Sequence, residues 1–563
     1  MSLVSDAARR TPGLLSAVGQ RLEALPVVAG LGVLVALQVG QAFWFAFSTP
    51  HNGWFWYSGG DATSYWTEQW AIGHLQIPQA VVGYGLPVYY AWIPLVAGPS
   101  LLTGAAVIVL FQMIVLVPLA LVLFWAVADQ LFGRVYAWCA AALWVVGPLL
   151  LLAGFVEKYH WVFDQLFLVP HWFGLTNMAD LPSLVAVLGC MLFALRAVDN
   201  SSPTDALLAG LVGGLALGLK PSNGFFVPAI AVLVLGARQW RNAVLMAAAA
   251  VPALLTLAIW KTRGLGVLPV KSSYTETHLA AGAHPLAFSS SRYLPLDWHH
   301  LSKELVNLHE VFWSIRFLEF LIVAGAFGVI RKAPLKGLFV VVWFAGYCIV
   351  KAASSGADFP SATYYRLAEP GLPAFILLVA GVAFCLPGLG RRAAQLRRAP
   401  SAAAGIDWRI VAPAAAVLAA IPLLLVVVAR NPSTMHIARD ENVVQEAPLT
   451  RTLGVSAHRK ADGSTTVSWH APKTGSTRPW YAIYYSPTKN SVVRNDNGCS
   501  VPDHGALECF LNTALVLGYT QSTTFTDPQS PSNRWYRVAV LASYQKTQPG
   551  DLMLVSNAVG GPS

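Results

Sequence analysis

Charged residues are scarce in this chain of 563 residues, since only 11% are Asp, Glu, Lys or Arg whereas 55% are hydrophobic. Soluble domains carry about 25% charged residues, so the composition excludes an ordinary soluble protein and predicts a polytopic membrane protein. The net charge of +10 does not indicate nucleic-acid binding, because the basic residues cluster in short loops between apolar runs, as in cytoplasmic loops. We therefore expect a lipid bilayer around the chain and no nucleic acid partner.

Cysteine is also rare, with six residues in the whole chain. Four of them lie in apolar runs, where Cys behaves as a small hydrophobic residue: Cys139, Cys190, Cys348 and Cys385. Only Cys499 and Cys509 lie in a polar region. An oxidising outer compartment permits a bond between such a pair, so we predict one disulfide there. Fingerprints of nucleotide binding and of HExxH zinc proteases are absent from the sequence.

Long apolar runs dominate residues 1–429. A spanning helix needs about 20 apolar residues, and the candidate spans are Leu25–Phe47, Leu101–Val127, Val135–Gly154, Leu181–Leu195, Ala206–Leu219, Gly224–Leu235, Ala243–Trp260, Phe317–Ile330, Gly337–Val350, Leu372–Leu386 and Ile410–Ala429. The fold class predicted for this part is a polytopic α-helical membrane protein with about 11 transmembrane helices. Lys and Arg recur in alternate connections, which predicts a cytoplasmic N-terminus and an extracytoplasmic C-terminus.

The composition changes after Ala429, which predicts a second domain over residues 430–563. Short alternating runs separated by turn residues indicate a β-sandwich. The sequence Val-Ser-Trp-His-Ala-Pro at 467–472, followed by Tyr-x-Ile-Tyr at 481–484 and Tyr-Arg-Val-Ala-Val at 536–540, resembles a fibronectin type III module. The resemblance covers Leu453–Val559 and implies an all-β domain outside the membrane.

Asp61 is the first candidate for chemistry. Between His51 and Ser100, Asp61 and Glu68 are the only carboxylates in a long aromatic loop that follows the first span. Trp and Tyr favour the membrane interface, so this loop is expected to lie at the lipid–water boundary. There Asp61 is either an unusual loop residue or the general base of a reaction.

Three further residues lie at predicted helix ends on the same outer side. Asp180, with Pro182 two positions later, suits a helix N-cap as well as a site residue. Lys220, in a tight turn beside Pro221, is either a lysine that reaches for the interface or a ligand for an anion. Arg366 is either an interfacial anchor or a bidentate ligand for a phosphate headgroup. Together these groups suit a reaction at a lipid-linked phosphate, in which cations stabilise the charge on the leaving group.

These motifs together resemble the GT-C fold glycosyltransferases, membrane enzymes that use polyprenyl-phosphate sugars. The matching features are Gly60-Asp61-Ala62 with Tyr65, an Asp-x-Pro at Asp180, the hairpin Gly214–Pro221 around Lys220, and Tyr365-Arg366 before Pro370, within Pro26–Leu386. The resemblance implies an inverting transfer with Asp61 as base, Asp180 and Tyr65 positioning the acceptor or a metal, and Lys220 and Arg366 binding the donor phosphate. A divalent cation, Mg²⁺ or Mn²⁺, is an expectation from the resemblance alone, because the first loop lacks the paired acidic residues of many members.

The implied partners are a polyprenyl-phosphate-linked hexose or pentose as donor and a hydroxyl group of a cell-envelope glycan, lipid or protein as acceptor. The implied location is the cell membrane, in cell wall biogenesis. A multi-pass transporter or flippase is the alternative, although transporters place polar groups near the bilayer midplane and these lie at helix ends. A scaffold that displays the C-terminal domain is a third hypothesis.

Overall fold

The structure is a computed structural model. It describes residues 19–48, 61–75, 83–97, 101–153, 168–265, 298–309, 316–351, 362–385, 408–429, 449–450, 453–472, 479–486, 515–528, 530, 534–541, 544–545, 548–549 and 552–560. Its α-helices are α1 Val27–Ser48, α2 Asp61–Gly73, α3 Gly85–Tyr90, α4 Trp92–Ala97, α5 Leu101–Phe111, α6 Val117–Phe132, α7 Arg134–Leu151, α8 Val169–Trp172, α9 Asp180–Asp199, α10 Pro203–Leu219, α11 Val227–Gly236, α12 Trp240–Leu265, α13 Trp298–Asn307, α14 Arg316–Lys332, α15 Pro334–Phe344, α16 Ala362–Ala368, α17 Leu372–Gly381 and α18 Trp408–Val428. Tighter or wider turns join some of them: π-helices at Gln112–Leu116 and Ala345–Val350, and 3₁₀-helices at Pro221–Phe226, Glu369–Gly371 and Val382–Cys385.

Every apolar run predicted to span the membrane coincides with a helix of the structure. Within the described ranges, six helical segments are long and apolar enough to cross a membrane: Val27–Ser48, Ala106–Phe132, Arg134–Leu151, Asp180–Asp199, Trp240–Trp260 and Tyr364–Cys385. Shorter apolar helices include Pro203–Leu219, Pro221–Gly236 and Pro334–Val350. The protein is therefore a polytopic helical membrane protein, as the composition predicts.

Small residues allow α10 to pack closely against its neighbour α12. A Cβ atom added at Gly210 would lie 2.0 Å from the carbonyl oxygen of Met246, and one at Gly214 would lie 2.8 Å from the Cβ of Ala253. Such close approach of backbones through small residues is typical of helices packed within a membrane. The α9–α10 hairpin is thereby held against α12.

One end of the helical bundle is fixed by a polar cluster around Asp199, the last residue of α9. Its Oδ2 lies 2.8 Å from Nζ of Lys336, at the start of α15, and accepts a hydrogen bond from Gln130 near the end of α6. Beside it, Arg196 Nε donates to Asp205 Oδ1 at 3.1 Å, which joins the end of α9 to the start of α10. These bonds define the end of the bundle opposite to Asp180.

The C-terminal part of the chain forms β-sheets. The strands are β1 Leu449–Thr450, β2 Ser456–Arg459, β3 Thr465–Ser468, β4 Trp480–Ser486, β5 Leu515–Thr520, β6 Thr524–Asp527, β7 Trp535–Leu541, β8 Tyr544–Gln545, β9 Gln548–Pro549, β10 Leu552–Ser556 and β11 Val559–Gly560. The largest sheet has the order β1-β10-β7-β4-β5, with β11 also paired to β7, a three-stranded sheet has the order β2-β3-β6, and β8 pairs with β9. These sheets, built mostly from antiparallel pairs, agree with the predicted all-β region, while the fibronectin type III resemblance stays a prediction.

The helical part and the β-sheet part follow one another along the chain. Helix α18 ends at Val428 and strand β1 begins at Leu449. The predicted boundary between residues 429 and 430 falls between these two elements, and the division into a catalytic and an outer domain stays a prediction.

Candidate functional site

Asp180 is the first residue of α9, and its carboxylate does not cap that helix. The N-cap position is taken by Ala179, with no side-chain hydrogen bond. Of the two interpretations that the sequence left open for Asp180, the helix cap is therefore wrong. Its carboxylate pairs with the ammonium of Lys220 instead, because a buried carboxylate is stabilised by an opposite charge.

The segment that leads into Asp180 is buried and fixed by polar contacts with neighbouring helices. Gln69 on α2 donates a hydrogen bond to Asn177 Oδ1 at 2.9 Å, and Gln112 donates to the carbonyl oxygen of Thr176 at 2.8 Å. Gly174 has φ +70°, a conformation that glycine adopts without a steric penalty. The position of Asp180 is thus set by helices from other parts of the chain.

Lys220 is held by a turn that the first loop supports. Helix α10 ends at Leu219, and Pro221 opens the 3₁₀-helix that follows. A Cβ atom at Gly218 would lie 2.5 Å from the ring of Tyr84, and one at Gly83 would lie 2.0 Å from the carbonyl oxygen of Gly218. The glycines therefore let the first loop contact the backbone directly before Lys220.

Asp180 is the centre of a buried ion cluster. Its Oδ1 accepts a hydrogen bond from Nζ of Lys220, and its Oδ2 lies 3.7 Å from Nε of Arg366. The Asp180 side chain is 0% exposed, and those of Lys220 and Arg366 are 6% and 14% exposed. A buried carboxylate is stable only when it is paired in this way. Three of the residues predicted from sequence therefore come together.

His171 and Glu369 extend this cluster. His171 Nδ1 lies 3.5 Å from Asp180 Oδ2 and 3.8 Å from Glu369 Oε2. Burial lowers the pKa of His171, which favours a neutral ring that can offer a nitrogen lone pair. No sequence pattern marks either residue as part of a site, and neither has a recognisable ligand spacing with Asp180.

The three residues His171, Asp180 and Glu369 fit a divalent cation. One ligand atom from each lies within 4.8 Å of the others. Among the residues that the structure describes, neither carboxylate oxygen of Glu369 accepts a hydrogen bond, and Asp180 Oδ2 has only a long contact of 3.5 Å with His171 Nδ1 and one of 3.7 Å with Arg366 Nε. Buried acceptors of this kind are costly unless a proton donor or a cation satisfies them. An ion held here would share the Asp180 carboxylate with Lys220 and Arg366.

Lys351 lies next to this cluster, directly after the π-helix Ala345–Val350. It is 2% exposed, and its ammonium lies 5.1 Å from the ring centroid of Tyr347 and 5.7 Å from that of Phe225. Burial lowers the pKa of Lys351 well below its usual value, the charge of Lys220 lowers it further, and Asp180 raises it. No sequence pattern marks Lys351 as a site residue either.

The short helix that carries Arg366 lines a small apolar pocket. The rest of the lining comes from α15, α17, the π-helix Ala345–Val350 and the residues directly before α8 and after α13, and the lining includes Leu168, Leu308, Phe344, Tyr364, Tyr365 and Phe375. Tyr364 and Tyr365 directly precede Arg366. Cationic and apolar surfaces therefore meet on one helical turn.

The remaining predicted site residues belong to other parts of the chain. Asp61 begins α2, but its side chain lies outside the described part of the structure. Tyr65 and Glu68 on the same helix are 1% and 2% exposed, and α2 is joined to the Asp180 segment through Gln69. Cys499 and Cys509 lie outside the described residues, so their disulfide stays a prediction.

The fold and the site define a class: a polytopic helical membrane protein with a buried polar site where several helices end. No protein-family model matches the chain, and no curated protein is similar to it. The chain is similar to the solved structure of the Archaeoglobus fulgidus oligosaccharyltransferase in the apo form, with 12% identity, a TM-score of 0.40, and coverage of 74% of this chain and 58% of that chain.

A second solved structure is similar to the same degree. It is the archaeal oligosaccharyltransferase AglB from Archaeoglobus fulgidus in complex with an inhibitory peptide and a dolichol-phosphate, with 13% identity, a TM-score of 0.40, and coverage of 74% of this chain and 57% of that chain. This chain thus spans somewhat more than half the length of the two proteins.

Proposed function

We propose that this protein is a membrane glycosyltransferase that moves a sugar from a polyprenyl-phosphate donor to a hydroxyl group of a cell-envelope acceptor. The observation that carries the proposal is the buried cluster of Asp180, Lys220 and Arg366 beside an apolar pocket. Cations suit a phosphate headgroup, and the apolar side chains beside Arg366 suit contact with a lipid chain. A polyprenyl-phosphate donor has both parts, whereas a soluble nucleotide sugar has no lipid chain.

The proposed reaction needs a general base for the acceptor hydroxyl and positive charge beside the leaving phosphate. Asp61 is the proposed general base, which takes the proton from the acceptor hydroxyl as that oxygen attacks the anomeric carbon. The bond from the anomeric carbon to the phosphate oxygen then breaks with inversion of configuration, and the electron pair leaves with the phosphate. Lys220 and Arg366 stabilise the charge that develops on the phosphate. Asp180 and Tyr65 position the acceptor or a divalent cation.

A divalent cation is the proposed cofactor, held by His171, Asp180 and Glu369. When bound, it would supply positive charge to the leaving phosphate without a proton transfer. The set contains one nitrogen and two carboxylate ligands, which suits Mn²⁺ better than Mg²⁺, because Mg²⁺ takes oxygen ligands almost exclusively. The proposed setting is the outer face of the cell membrane, with the C-terminal domain outside.

The test of this function is a transfer assay on the purified full-length chain in proteoliposomes. It uses a panel of radiolabelled polyprenyl-phosphate hexoses and pentoses with hydroxyl acceptors, and we expect at least one donor to be consumed with its label transferred. Movement of labelled lipid between leaflets without any chemical turnover would instead assign a flippase and exclude the transferase. Donor consumption without an acceptor would indicate hydrolysis.

Removal of the ion is expected to lower transfer strongly. After chelation, the rate measured with the active donor should fall by about tenfold or more, because the phosphate loses a Lewis acid contact, and Mn²⁺ should restore it. Glu369→Gln should weaken the response to added Mn²⁺. The control is Glu319→Gln, since Glu319 also faces a histidine, His309 at 3.2 Å, but lies outside the cluster. Full activity after chelation would show that the cationic side chains suffice.

A further inference from the structure

The first loop lies directly against the last turn of α10. Gly85 is the first residue of α3, and a Cβ atom added to it would lie 2.8 Å from Cγ of Leu219 and 2.9 Å from its Cα. A Cβ atom at Gly83 would lie 2.0 Å from the carbonyl oxygen of Gly218. There is therefore no space for a side chain between the two segments, which meet backbone to backbone directly before Lys220.

Tyr84 is the side chain that stands between these two glycines of the first loop. It is 2% exposed and belongs to a buried apolar cluster with Trp260 of α12 and Val426 of α18. A Cβ atom at Gly218 would lie 2.5 Å from Cζ of Tyr84 and 2.6 Å from its hydroxyl oxygen. The ring therefore lies on the backbone of α10 and connects the end of that helix to α12 and α18.

The same loop also contacts the other member of the ion pair through the segment that precedes it. Gln69 on α2 donates a hydrogen bond to Asn177 at 2.9 Å, three residues before Asp180. Helix α2 in turn packs on the residue between α3 and α4, since a Cβ atom at Gly73 would lie 2.9 Å from the carbonyl oxygen of Ala91. One loop thus holds the segments that lead into both charges of the pair.

We propose that Tyr84 is a positioning residue, whose ring fixes the place of the Lys220 ammonium for the phosphate of the donor. This inference rests on the proposed function in one respect, namely that Lys220 binds the phosphate of a lipid-linked donor. Tyr84 touches no reacting atom and acts through the backbone of Gly218, two residues before Lys220. Fixed positive charge is effective because it needs no rearrangement while charge develops on the leaving group.

The backbone of Lys220 explains why its position needs external support. With φ −142° and ψ 114°, this residue does not continue α10, although its N–H still donates to the carbonyl oxygen of Ala216. The next residue, Pro221, has no N–H to donate. A shift of about 1 Å in a group that holds a substrate can lower the rate about 100-fold, so the contact that restrains this turn matters for the reaction.

The experiment measures binding of a short-chain polyprenyl monophosphate to the full chain in detergent by direct titration. The corresponding polyprenol and inorganic phosphate serve as comparison ligands. Tyr84→Ala removes the ring, Tyr84→Phe removes only the hydroxyl, and Gly218→Ala displaces the ring with a methyl group. The control is Gly214→Ala, one turn earlier on α10, where a Cβ atom would lie 2.8 Å from the Cβ of Ala253.

We expect Tyr84→Ala and Gly218→Ala to weaken monophosphate binding about tenfold or more, whereas Tyr84→Phe matches the wild type. Gly214→Ala should lower the melting temperature and leave monophosphate affinity unchanged. The polyprenol should bind equally to all variants, because it has no phosphate for Lys220. Wild-type monophosphate affinity in Tyr84→Ala and Gly218→Ala would overturn the inference, and so would an equal loss in Gly214→Ala.

A double-mutant cycle tests whether Tyr84 acts through Lys220. The background is Asp180→Asn with Lys220→Met, which removes both charges of the pair rather than one. In this background Tyr84→Ala should cause no further loss of monophosphate binding, since the ammonium that it positions is absent. A further loss by the same factor as in the wild type would overturn the inference, because the ring would then act independently of Lys220.

The outcomes also separate this inference from the proposed function. Monophosphate binding that depends on Tyr84, without transfer from any donor, would reject the transferase and retain the positioning role. Sugar transfer with a donor affinity that does not depend on Tyr84 would reject the positioning role alone. An equal dependence of inorganic phosphate binding would retain the positioning role and assign a free-phosphate site.

A milder variant keeps the inference falsifiable if Tyr84→Ala and Gly218→Ala do not fold. Tyr84→Leu keeps an apolar side chain in the cluster but lacks the flat ring that lies on Gly218, so it should bind the monophosphate more weakly than Tyr84→Phe. Equal affinity of these two variants would overturn the inference.

Discussion

Replacement of Asp61 by Asn is expected to lower the rate of sugar transfer by about 100- to 10,000-fold, the usual contribution of general base catalysis. Asn cannot accept the proton of the acceptor hydroxyl. It should preserve the fold, because Asp61 is the first residue of α2 and Asn serves the start of a helix as well as Asp does. The measurement is the initial rate with the active donor, together with the melting temperature of the variant.

Glu68→Gln is the informative comparison for Asp61, because Glu68 is the other carboxylate of α2 and is buried. If Asp61→Asn retains the wild-type rate while Glu68→Gln is inactive and folded, the base is Glu68 and the role proposed for Asp61 is wrong. Donor affinity should be unchanged in Asp61→Asn, since Asp61 is proposed to act on the acceptor. A large rise in KM for the donor would contradict that division of roles.

Replacement of Asp180 by Asn is expected to abolish transfer and also to destabilise the protein. Asp180 pairs with Lys220 and lies 3.7 Å from Arg366, so its neutralisation leaves buried cations without their partner. Loss of one member of a buried ion pair typically costs about 3–5 kcal/mol. The measurement is the thermal unfolding midpoint in detergent alongside the transfer rate.

The same helix provides a matched control at its opposite end. Asp199 is the last residue of α9 and also pairs with a lysine, Lys336 at 2.8 Å, but it lies far from the ion cluster. Asp199→Asn should lower stability and leave transfer by the folded protein unchanged. An equal loss of transfer in both variants would show that activity follows helix stability rather than the site.

A double variant keeps the Asp180 prediction testable if the single variant does not fold. Asp180→Asn with Lys220→Met removes both charges of the pair, which is milder for stability than removal of one. This variant should fold better than Asp180→Asn and still be inactive. Activity in the double variant would assign the pair to structure alone.

The sequence predicted the helical fold and three members of the ion cluster because both depend on strong local signals. Apolar runs determine the spans through their length. Charged residues are rare in this chain, and three of them stand at predicted helix ends: Asp180, Lys220 and Arg366. Because the predicted topology puts these helix ends on the same side of the membrane, the three residues were expected to lie close together. The orientation of the termini stays a prediction.

The sequence could not predict the other members of the cluster, because they have no local pattern. His171 lies on a helix of four residues and looked like one of several loop histidines. Glu369 occupies an unspecified position of the motif Tyr365–Pro370, and Lys351 looked like an ordinary residue after an apolar run. Their proximity depends on tertiary packing, such as the hydrogen bond between Tyr347 and Asn223, which no spacing rule reveals. Asp180 as a cap was wrong for the same reason.

The bond between Asp180 and Lys220 has a consequence for how the protein enters the membrane. The two residues begin and follow the consecutive helices α9 and α10, so the pair can form within one helical hairpin. A charged residue within the hydrocarbon region costs about 2.5–3.5 kcal/mol on insertion scales, and pairing reduces that penalty for both. The two helices are therefore suited to leave the translocation machinery together, with the ion pair already assembled before the later segments that contain Lys351 and Arg366 are synthesised.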